Sequence, residues 1–523
     1  MTMTITTSPS TEVEVINALS LLAHKVAPNV FDLSSLQWHV SIRDQIVRAC
    51  LLMADLKKAD PNIHSVLIVG MGAAGISAAI AACELGIKQV CVVDQADTPF
   101  KLFRDVTSRF VGPFMYEWPS SFHADQSYPV PPNAPWGGQG RSPLTWSVKE
   151  PITADDLAKE LTTCLTTWIK KRKKAKLSLP YMLVKANPKE IESFAKQFAV
   201  TEAKRAEETS QGGSAKTPKS QFNRDSYANA LLWGSMPGAK FPIKHEPDYL
   251  VLAAGMGTET LTVSDNTEVT PSFWANDTLK ELSTANQTVV ILGGGDGALQ
   301  DALRALTTYD HPLSLVQNLQ KNPSCQKALS AELPALLDAD RQMRQHCAWV
   351  TGSHAQKMVD LACKQAADRL AANPDICTCI LRSLRPGKGT VWLWVAGTHF
   401  DKAYLLNRLA IHLLWACFRK LRRRPTDCMN FKVRFNTKFT RAEQPSPPTT
   451  TRTPSPEKVK RLILHASSQG REIVKKADKV VVRFGIQKDT IPGLQMVQLG
   501  VPNERDLKHR ATLKGIELPF VAM

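Results

Sequence analysis

Two glycine-rich turns in this chain have the residue types and spacing that would hold the pyrophosphate of a dinucleotide. Each follows an apolar run, 66–69 in the first turn and 289–292 in the second, and precedes a run of helix-forming residues. A strand, then G-x-G-x-x-G/A, then a helix is the sequence pattern of a dinucleotide site. The candidate cofactor-binding residues are Gly70, Gly72, Ala73, Ala74 and Gly75 in the first turn and Gly293, Gly295, Asp296, Gly297 and Ala298 in the second. Two such turns indicate two facing dinucleotides, and so redox chemistry between a flavin and a nicotinamide.

The first turn has the surroundings that this pattern requires. Gly70 allows the tight turn out of the strand, Gly72 lets the pyrophosphate approach the backbone, and Gly75 lets the helix pack closely on the strand. A second apolar strand over 89–93 ends at Asp94, which lies 24 positions after Gly70. That spacing predicts a carboxylate that bonds a ribose hydroxyl, with Gln95 beside it. The alternative is a tight strand-to-helix turn in another kind of α/β protein.

The second turn lacks the same support. The next apolar stretch, 313–316, is taken as the following strand, and it ends in Gln317 and Asn318. These residues supply neither an acid for a ribose diol nor an arginine for a 2′-phosphate, so the sequence indicates no preference between NADH and NADPH. The alternative is a degenerate half that packs but binds no dinucleotide.

A third segment links the two turns and carries a family resemblance. The apolar run 249–252 ends in small residues, including Ala254 and Gly255, which let the backbone turn close to a bound cofactor. Here the chain resembles the two-dinucleotide-binding flavoproteins, the group of thioredoxin-reductase-like enzymes and flavin-dependent monooxygenases. Their ATG-like strand end, matched in part by Ala254 and Gly255, returns the chain from the FAD domain to the NAD(P)H domain. The resemblance covers roughly residues 60–320, and 273–301 also looks like uncharacterised bacterial FAD/NAD(P)-binding proteins.

The resemblance implies an α/β fold with two Rossmann-like dinucleotide-binding units and a helical insertion, holding FAD and, at the second turn, NAD(P)H. The chain departs from the disulfide reductases of the group, because its closest cysteine pair, Cys377 and Cys379, does not have the C-x-x-C spacing. A late Gly-Asp pair is missing, and Gln300 stands where many relatives carry Glu. No catalytic residue is therefore carried over. The strand 479–485 is interpreted as the chain's final return to the cofactor.

Composition restricts the remaining possibilities. The chain has 523 residues, 43% of them hydrophobic, which is enough for two or three domains. It has no apolar run of about 18 residues and no apolar signal core, and its 11 cysteines lack paired spacing, so we expect a cytoplasmic protein with reduced thiols and no metal site. The net charge is +17, with basic runs at 170–176 and 419–424. These runs are interpreted as a solvated helix end and a loop, and the alternative is a surface for an anionic partner.

Composition breaks predict the domain order. We expect an N-terminal helical extension over 1–60, an FAD-binding domain over 61–270 and the start of an NAD(P)-binding domain over 271–324. A helical insertion over 325–425 is predicted to form a cap or an oligomer contact, with His412 as a core or interface histidine, and 426–523 returns to the dinucleotide domains. Low-complexity segments at 202–220 and 442–457 are predicted to be mobile. The aromatic, proline-rich segment 110–146 is predicted to lie beside the flavin or the substrate. Arg104, Arg109 and His123 lie in or near it, and a structural role is favoured for them over a catalytic one.

The sequence thus predicts an FAD-dependent oxidoreductase that acts on a small molecule, uses NAD(P)H and is closer to a monooxygenase than to a disulfide reductase. Binding to a membrane is not expected, and neither is binding to nucleic acid. Two alternatives stay open: a flavin oxidase or dehydrogenase with a degenerate second site, and a non-catalytic dinucleotide-binding interaction protein. Because a flavin would carry the chemistry, the lack of an evident catalytic triad or paired carboxylates is compatible with this function.

Overall fold

The computed structural model describes residues 21, 24–33, 42–112, 118–119, 144, 150–223, 230–232, 244–255, 257–263, 269–345, 353–420, 427–444 and 461–486. In these residues the chain has a mixed α/β fold with parallel sheets and helices, which confirms the predicted α/β class. Of the residues singled out in the sequence, His123 and most of 110–146 lie outside the described part, as do 445–460.

Strands and helices are interspersed along the chain. The strands are β1 (Lys25–Ala27), β2 (Val30–Asp32), β3 (Ser65–Val69), β4 (Gln89–Val93), β5 (Phe110–Val111), β6 (Ile152–Thr153), β7 (Tyr181–Val184), β8 (Phe222–Asn223), β9 (Ala230–Leu232), β10 (Lys244–His245), β11 (Tyr249–Leu252), β12 (Thr288–Leu292), β13 (Thr390–Trp394), β14 (Asn430–Arg434), β15 (Thr437–Glu443), β16 (Leu462–Ser468), β17 (Arg471–Ala477) and β18 (Lys479–Val482). The helices are α1 (Ile42–Ala59), α2 (Ala73–Glu84), α3 (Ala154–Lys174), α4 (Pro188–Ser210), α5 (Asp296–Leu306), α6 (Pro312–Gln320), α7 (Pro323–Gln345), α8 (His354–Leu370), α9 (Pro374–Arg382) and α10 (Leu405–Lys420).

The first sheet has the order β1-β2-β11-β3-β4-β7-β9, and its strands from β2 to β7 are parallel. Parallel strands must be covered on both faces, which explains the unbroken apolar runs of β3 and β4. Helices α1, α2 and α3 pack on one face and α4 packs on the other. The N-terminal extension predicted over 1–60 is only partly helical, because β1 and β2 pair into this sheet before α1 begins.

The second sheet has the order β14-β13-β12-β18, and all four strands are parallel. Helices cover one face, and the three-stranded antiparallel sheet β15-β16-β17 covers the other. The stretch 313–316 lies in helix α6, so its interpretation as the next strand is wrong. The strand that follows α5 in the sheet is β13, and it lies inside the predicted helical insertion 325–425 together with helix α10.

The two parallel sheets repeat one arrangement. In the first sheet, β3 precedes the glycine turn and lies between β11, which comes later in the chain, and β4, which follows helix α2. In the second sheet, β12 precedes the turn and lies between β18, which comes late in the chain, and β13, which is the next strand along the chain. The hydrogen bonds repeat as well, since Gly70 N–H donates to Val93 O at 2.8 Å and Gly293 N–H donates to Trp394 O at 3.0 Å. Both glycine turns therefore lie at the carboxyl ends of parallel strands, where ligands of open α/β sheets bind.

The segment 202–220 is more ordered than its composition predicts. Helix α4 runs on to Ser210, and Glu202, on its buried side, accepts a hydrogen bond of 2.7 Å from the amide of Asn29. The Glu208 carboxylate then holds the loop by accepting bonds from the backbone N–H groups of Lys216 and Thr217. The structure therefore places the first part of this segment in a helix and bonds its loop, while the predicted mobility stays a prediction.

Candidate functional site

The first glycine turn has a tightly packed base and an open front. Gly70 has φ of +111°, and a Cβ built there would lie 2.2 Å from the carbonyl oxygen of Ala253. A Cβ on Gly75 would lie 1.9 Å from the carbonyl oxygen of Gly70. These two positions require glycine so that the turn can close against β11 and helix α2. A Cβ on Gly72, in contrast, meets no atom of the described residues within 4 Å.

Gly72 is also the N-cap of α2, with φ of −75° and ψ of −172°. Its open front therefore lies at a helix N-terminus, where unpaired N–H groups and the helix dipole favour an anion. Ala73 and Ala74 occupy the first turn of this helix and are half-buried. The backbone of the turn thus has the properties that a pyrophosphate requires.

Asp94 lies directly beside this opening. Its carboxylate accepts hydrogen bonds from the backbone N–H groups of Met71, at 2.5 Å, and Ala96, at 2.8 Å. The side chain is only half-buried, and Gln95 next to it is exposed. An ionised carboxylate has about four acceptor positions, so bonding capacity remains for ribose hydroxyls.

The end of β11 completes this edge of the sheet. Ala253 N–H donates to Val69 O at 2.7 Å, which brings the strand end against the turn. The chain then reverses through Ala254 to Gly255, which has φ of +83°. The structure therefore brings together Gly70, Gly72, Gly75, Asp94 and the 253–255 strand end, which the sequence predicted as parts of one site.

The second glycine turn has the same base. Gly293 has φ of +143°, and a Cβ built there would lie 2.3 Å from the carbonyl oxygen of Arg483, just as Gly70 meets Ala253. Ala298 is buried at the position of Gly75. The predicted final return, 479–485, therefore packs beside this turn, through β18.

The front of the second turn is covered. A Cβ on Gly295 would lie 3.4 Å from the carbonyl oxygen of Lys402 and 3.5 Å from that of Asp401. The N–H of Asp401 also donates to Gly294 O at 3.2 Å. Two carbonyl oxygens therefore lie near the position where a phosphate would approach the backbone.

Asp296 binds Tyr404 and Asn407, which follow Asp401 and Lys402 in the chain, and so attaches this segment to the second turn. Its carboxylate accepts bonds from Tyr404 N–H at 2.8 Å and from the amide of Asn407 at 2.5 Å. Burial raises the pKa of Asp296 to about 7, although these hydrogen bonds and Arg408 act in the opposite direction. The carboxyl group of Asp296 is therefore already bonded to the protein, and its cofactor-binding role stays a prediction.

No acidic residue directly follows β13 at the second turn, whereas Asp94 directly follows β4 at the first turn. The N–H of Asp94 donates to Leu183 O at 3.0 Å, and the N–H of Val395 makes the equivalent bond to Arg434 O at 2.9 Å. Val395 therefore occupies the position of Asp94, and its methyl carbon would lie 2.8 Å from a Cβ on Gly294. Val395 therefore supplies no acceptor for a ribose hydroxyl at the second turn, and nicotinamide binding there stays a prediction.

A buried cluster of charges connects the two halves of the chain. Arg109 lies 2.8 Å from Asp277 and also pairs with Asp301, on α5. Arg304 lies 2.7 Å from Asp277 and 3.1 Å from Asp301, and Arg483 lies 2.9 Å from Asp301. Burial opposes the charge of Asp301, but the three guanidinium groups hold its pKa below the ordinary value.

The sequence favoured a structural role for Arg109 but did not identify this cluster. The guanidinium carbons of Arg109 and Arg483 lie 4.6 and 5.7 Å from the centroid of the Phe273 ring. Arg104 donates hydrogen bonds to Pro99 O and Thr162, so it too has a structural partner. The spacing of Asp301 and Arg304 on one helix face was a sequence signal for an ion pair, but their partners come from distant segments.

The remaining sequence predictions concern His412, metal ligands, the cysteines and membrane-spanning helices. His412 is buried and its Nε2 lies 3.0 Å from Asp360, which confirms its interpretation as a core histidine. Within the described ranges, no group of three or more His, Cys, Asp or Glu side chains could hold a metal ion, and the cysteines form no disulfide. No described helix is both long and apolar enough to cross a membrane.

Comparisons with known proteins show a remote similarity to a solved structure. No protein-family model matches the chain, and no curated protein matches it. Among solved structures, the chain is similar to FAD-bound DfoA, the cadaverine monooxygenase of desferrioxamine biosynthesis from Erwinia amylovora, with a TM-score of 0.37 and 9% identity over 85% of this chain and 83% of that one. Because a TM-score this low defines no shared fold, function is inferred from the chain's own residues.

Proposed function

We propose that the chain is an FAD-dependent oxidoreductase that binds its flavin dinucleotide at the first glycine turn. The observation that carries this proposal is the open backbone at Gly72, at the N-terminus of α2 and beside the half-buried carboxylate of Asp94. The N–H groups at the start of α2 would bind the pyrophosphate, and Asp94 would accept from the ribose. FAD, rather than another dinucleotide, is proposed from the resemblance to two-dinucleotide flavoproteins.

The chain's own contribution is binding and positioning. A bound flavin supplies hydride and electron transfer, so the protein does not need a nucleophile or a metal for the redox step. Residues 253–255 would bring the backbone close to the cofactor at the end of β11. We assign no catalytic side chain, because the aromatic segment predicted beside the flavin lies largely outside the described residues.

The covered second turn favours a flavin oxidase or dehydrogenase, in which an organic substrate reduces the flavin. Three features support this form: the carbonyl oxygens of Asp401 and Lys402, the carboxylate of Asp296, and Val395 at the position of Asp94. The NAD(P)H-using, monooxygenase-like form is the second candidate, and the repeated backbone of the second turn favours it. That form requires the 401–404 segment to leave the front of Gly295.

Flavin retention by a glycine variant tests the first site. Gly72 has an ordinary φ and space for a side chain, so Gly72→Val is expected to fold but to purify without flavin. The matched control is Gly213→Val, at an exposed loop position where a Cβ makes only an ordinary contact of 3.8 Å. The flavin absorbance of both variants is compared with that of the native protein. A Gly72→Val protein with a full complement of FAD would contradict the assignment.

Anaerobic reduction separates the two forms of the enzyme. The flavin-loaded protein is mixed with NADH or NADPH and the loss of flavin absorbance is followed. The oxidase or dehydrogenase form predicts no reduction beyond that of free FAD. Rapid reduction that is lost in Gly295→Val would instead establish the NAD(P)H-using form. A protein that binds dinucleotide but is reduced by neither nicotinamides nor organic substrates would favour the non-catalytic alternative.

A further inference from the structure

Three cations surround one tryptophan at the edge of the second sheet. The centroid of the Trp392 ring lies 4.7 Å from Lys432 Nζ, 4.5 Å from Lys475 Nζ and 5.2 Å from the guanidinium carbon of Arg434. Lys432 and Arg434 lie on β14, the edge strand, and Lys475 lies on β17. Cations can pack on the face of an aromatic ring, but here the three positive charges also lie close to one another.

No carboxylate in the described part of the chain forms an ion pair with Lys432, Arg434 or Lys475. Burial lowers the pKa of Lys475, and repulsion from Lys432 and Arg434 lowers it further. Like charges brought together without a counter-ion raise the free energy of the protein, and a bound anion would remove that cost. The cluster therefore has the electrostatic properties of an anion-binding site.

A cavity of about 300 Å³ lies beside the cluster. It extends around β14 to the C-terminal half of α10, and its walls include Trp392, Trp415, Phe418, Arg419, Lys432 and Arg434. Arg419 pairs with Asp368 and packs 4.6 Å from the centroid of the Trp415 ring, so its charge is already partly neutralised. The cavity therefore has an aromatic wall on the helix side and uncompensated cations on the strand side.

We propose that this cavity binds a small phosphorylated ligand with an aromatic ring, of the size of a mononucleotide. The phosphate would contact Lys432 and Arg434, with Lys475 nearby, and the ring would pack against Trp415 and Phe418. The volume is at the lower end of small-molecule sites, which favours a compact ligand over a polymer. The site is separate from the first glycine turn, and its failure would leave the proposed FAD site unaffected.

Calorimetric titration of the flavin-loaded protein with AMP, adenosine and inorganic phosphate tests this proposal, because bound FAD blocks the first turn. We expect AMP to bind at one site, and adenosine and phosphate each to bind at least tenfold more weakly. The double variant Lys432→Gln/Arg434→Gln is expected to weaken AMP binding at least tenfold. The control, Lys438→Gln/Arg471→Gln, removes the same charges from exposed positions on β15 and β17 and is expected to leave AMP binding unchanged.

Several outcomes would overturn the proposal. Equal binding of AMP and adenosine would show that the cations bind no phosphate, and equal binding of AMP and phosphate would show that the aromatic wall binds no ring. Unchanged AMP affinity in the Lys432→Gln/Arg434→Gln variant, or no AMP binding at millimolar concentration, would also contradict it. Tighter binding of a single-stranded dT20 oligonucleotide than of AMP, lost in the same variant, would assign the cluster to a polymer instead.

Discussion

At the first glycine turn a Cβ on Gly72 meets no atom within 4 Å in the part of the chain that the structure describes, whereas at the second turn a Cβ on Gly295 meets the carbonyl oxygens of Asp401 and Lys402 at 3.5 and 3.4 Å. The backbones of the two turns are otherwise alike, because Gly70 and Gly293 both have positive φ and both approach the carbonyl of the late-returning strand. Glycine spacing therefore determines how the chain leaves the strand. Residues far from the motif, Asp401 and Lys402, lie over the second turn.

The adjoining strand shows the same contrast. Asp94 bonds the backbone of the first turn and leaves acceptor positions open, while Val395 packs its methyl groups against the second turn. One side chain at an equivalent position thus changes a polar edge suited to ribose into an apolar contact. Variants at both turns, at one turn, or in the buried charge cluster around Asp301 can test these differences.

The largest effect is expected at the charge cluster between the two halves. Asp301→Asn leaves Arg109, Arg304 and Arg483 buried around a neutral side chain, so we expect it to lower the free energy of unfolding by about 3–5 kcal/mol. Asp368→Asn, which breaks exposed pairs with Lys364 and Arg419, is expected to cost less than about 1 kcal/mol. Urea denaturation measures both. Equal effects would show that the cluster does not stabilise the contact between the halves.

Gly70 and Gly293 share a positive φ and a close carbonyl contact, which predicts that substitutions at both positions destabilise the protein. Gly70→Ala and Gly293→Ala each place a Cβ within 2.3 Å of a carbonyl oxygen at a positive φ. We expect each to destabilise the protein by about 2–4 kcal/mol. Gly72→Ala, with space around it, is expected to be nearly neutral in the absence of flavin. If only one of the first two variants were destabilised in thermal or urea unfolding, the two turns would not share one backbone requirement.

The contrast between Asp94 and Val395 predicts a difference in FAD affinity between their variants. Asp94→Ala removes a charged acceptor beside the first turn and is expected to weaken FAD binding by about 1.5–3 kcal/mol, tenfold or more in Kd. Val395→Ala changes the equivalent position at the second turn and is expected to leave the FAD affinity unchanged. Fluorescence titration of the apoprotein with FAD measures both values. Equal losses in the two variants would contradict the assignment of FAD to the first turn.

The last prediction depends on pH and concerns the contact between Asp296 and the chain that follows Asp401 and Lys402. Burial raises the pKa of Asp296 from 3.8 to about 7, so between these values the folded state binds a proton that the unfolded state has released. Native stability from this group therefore falls as the pH rises from about 4 to 7 and then levels off. Asp296→Asn lacks this titration, so its stability relative to the native chain should increase across that window by up to about 4 kcal/mol, at about 1.4 kcal/mol per pKa unit. A pH-independent difference would contradict the position assigned to Asp296.

Local patterns predicted the elements that surround the first glycine turn. Strand β3, the turn, helix α2, strand β4 and Asp94 follow one another within 65–94, so periodicity and spacing were sufficient to place them. The second site could not be read in this way, because helices α6 to α9 lie between α5 and β13 and separate Val395 from its turn. The approach of Asp401 and Lys402 to Gly295 and the partners of Arg109 depend on tertiary packing. The helical part of 202–220 was missed because the side-chain bonds of Glu202 and Glu208 are not visible in composition.

The central claim is that the first turn binds FAD and the second binds no nicotinamide dinucleotide. Native mass spectrometry of the chain incubated with FAD, NADH and NADPH tests it most directly, since the mass of each complex identifies the bound dinucleotides. The account predicts one FAD per chain in the native protein, none in Gly72→Val, and no nicotinamide dinucleotide in either. A complex that holds both FAD and NADH or NADPH, and loses only the nicotinamide in Gly295→Val, would contradict it.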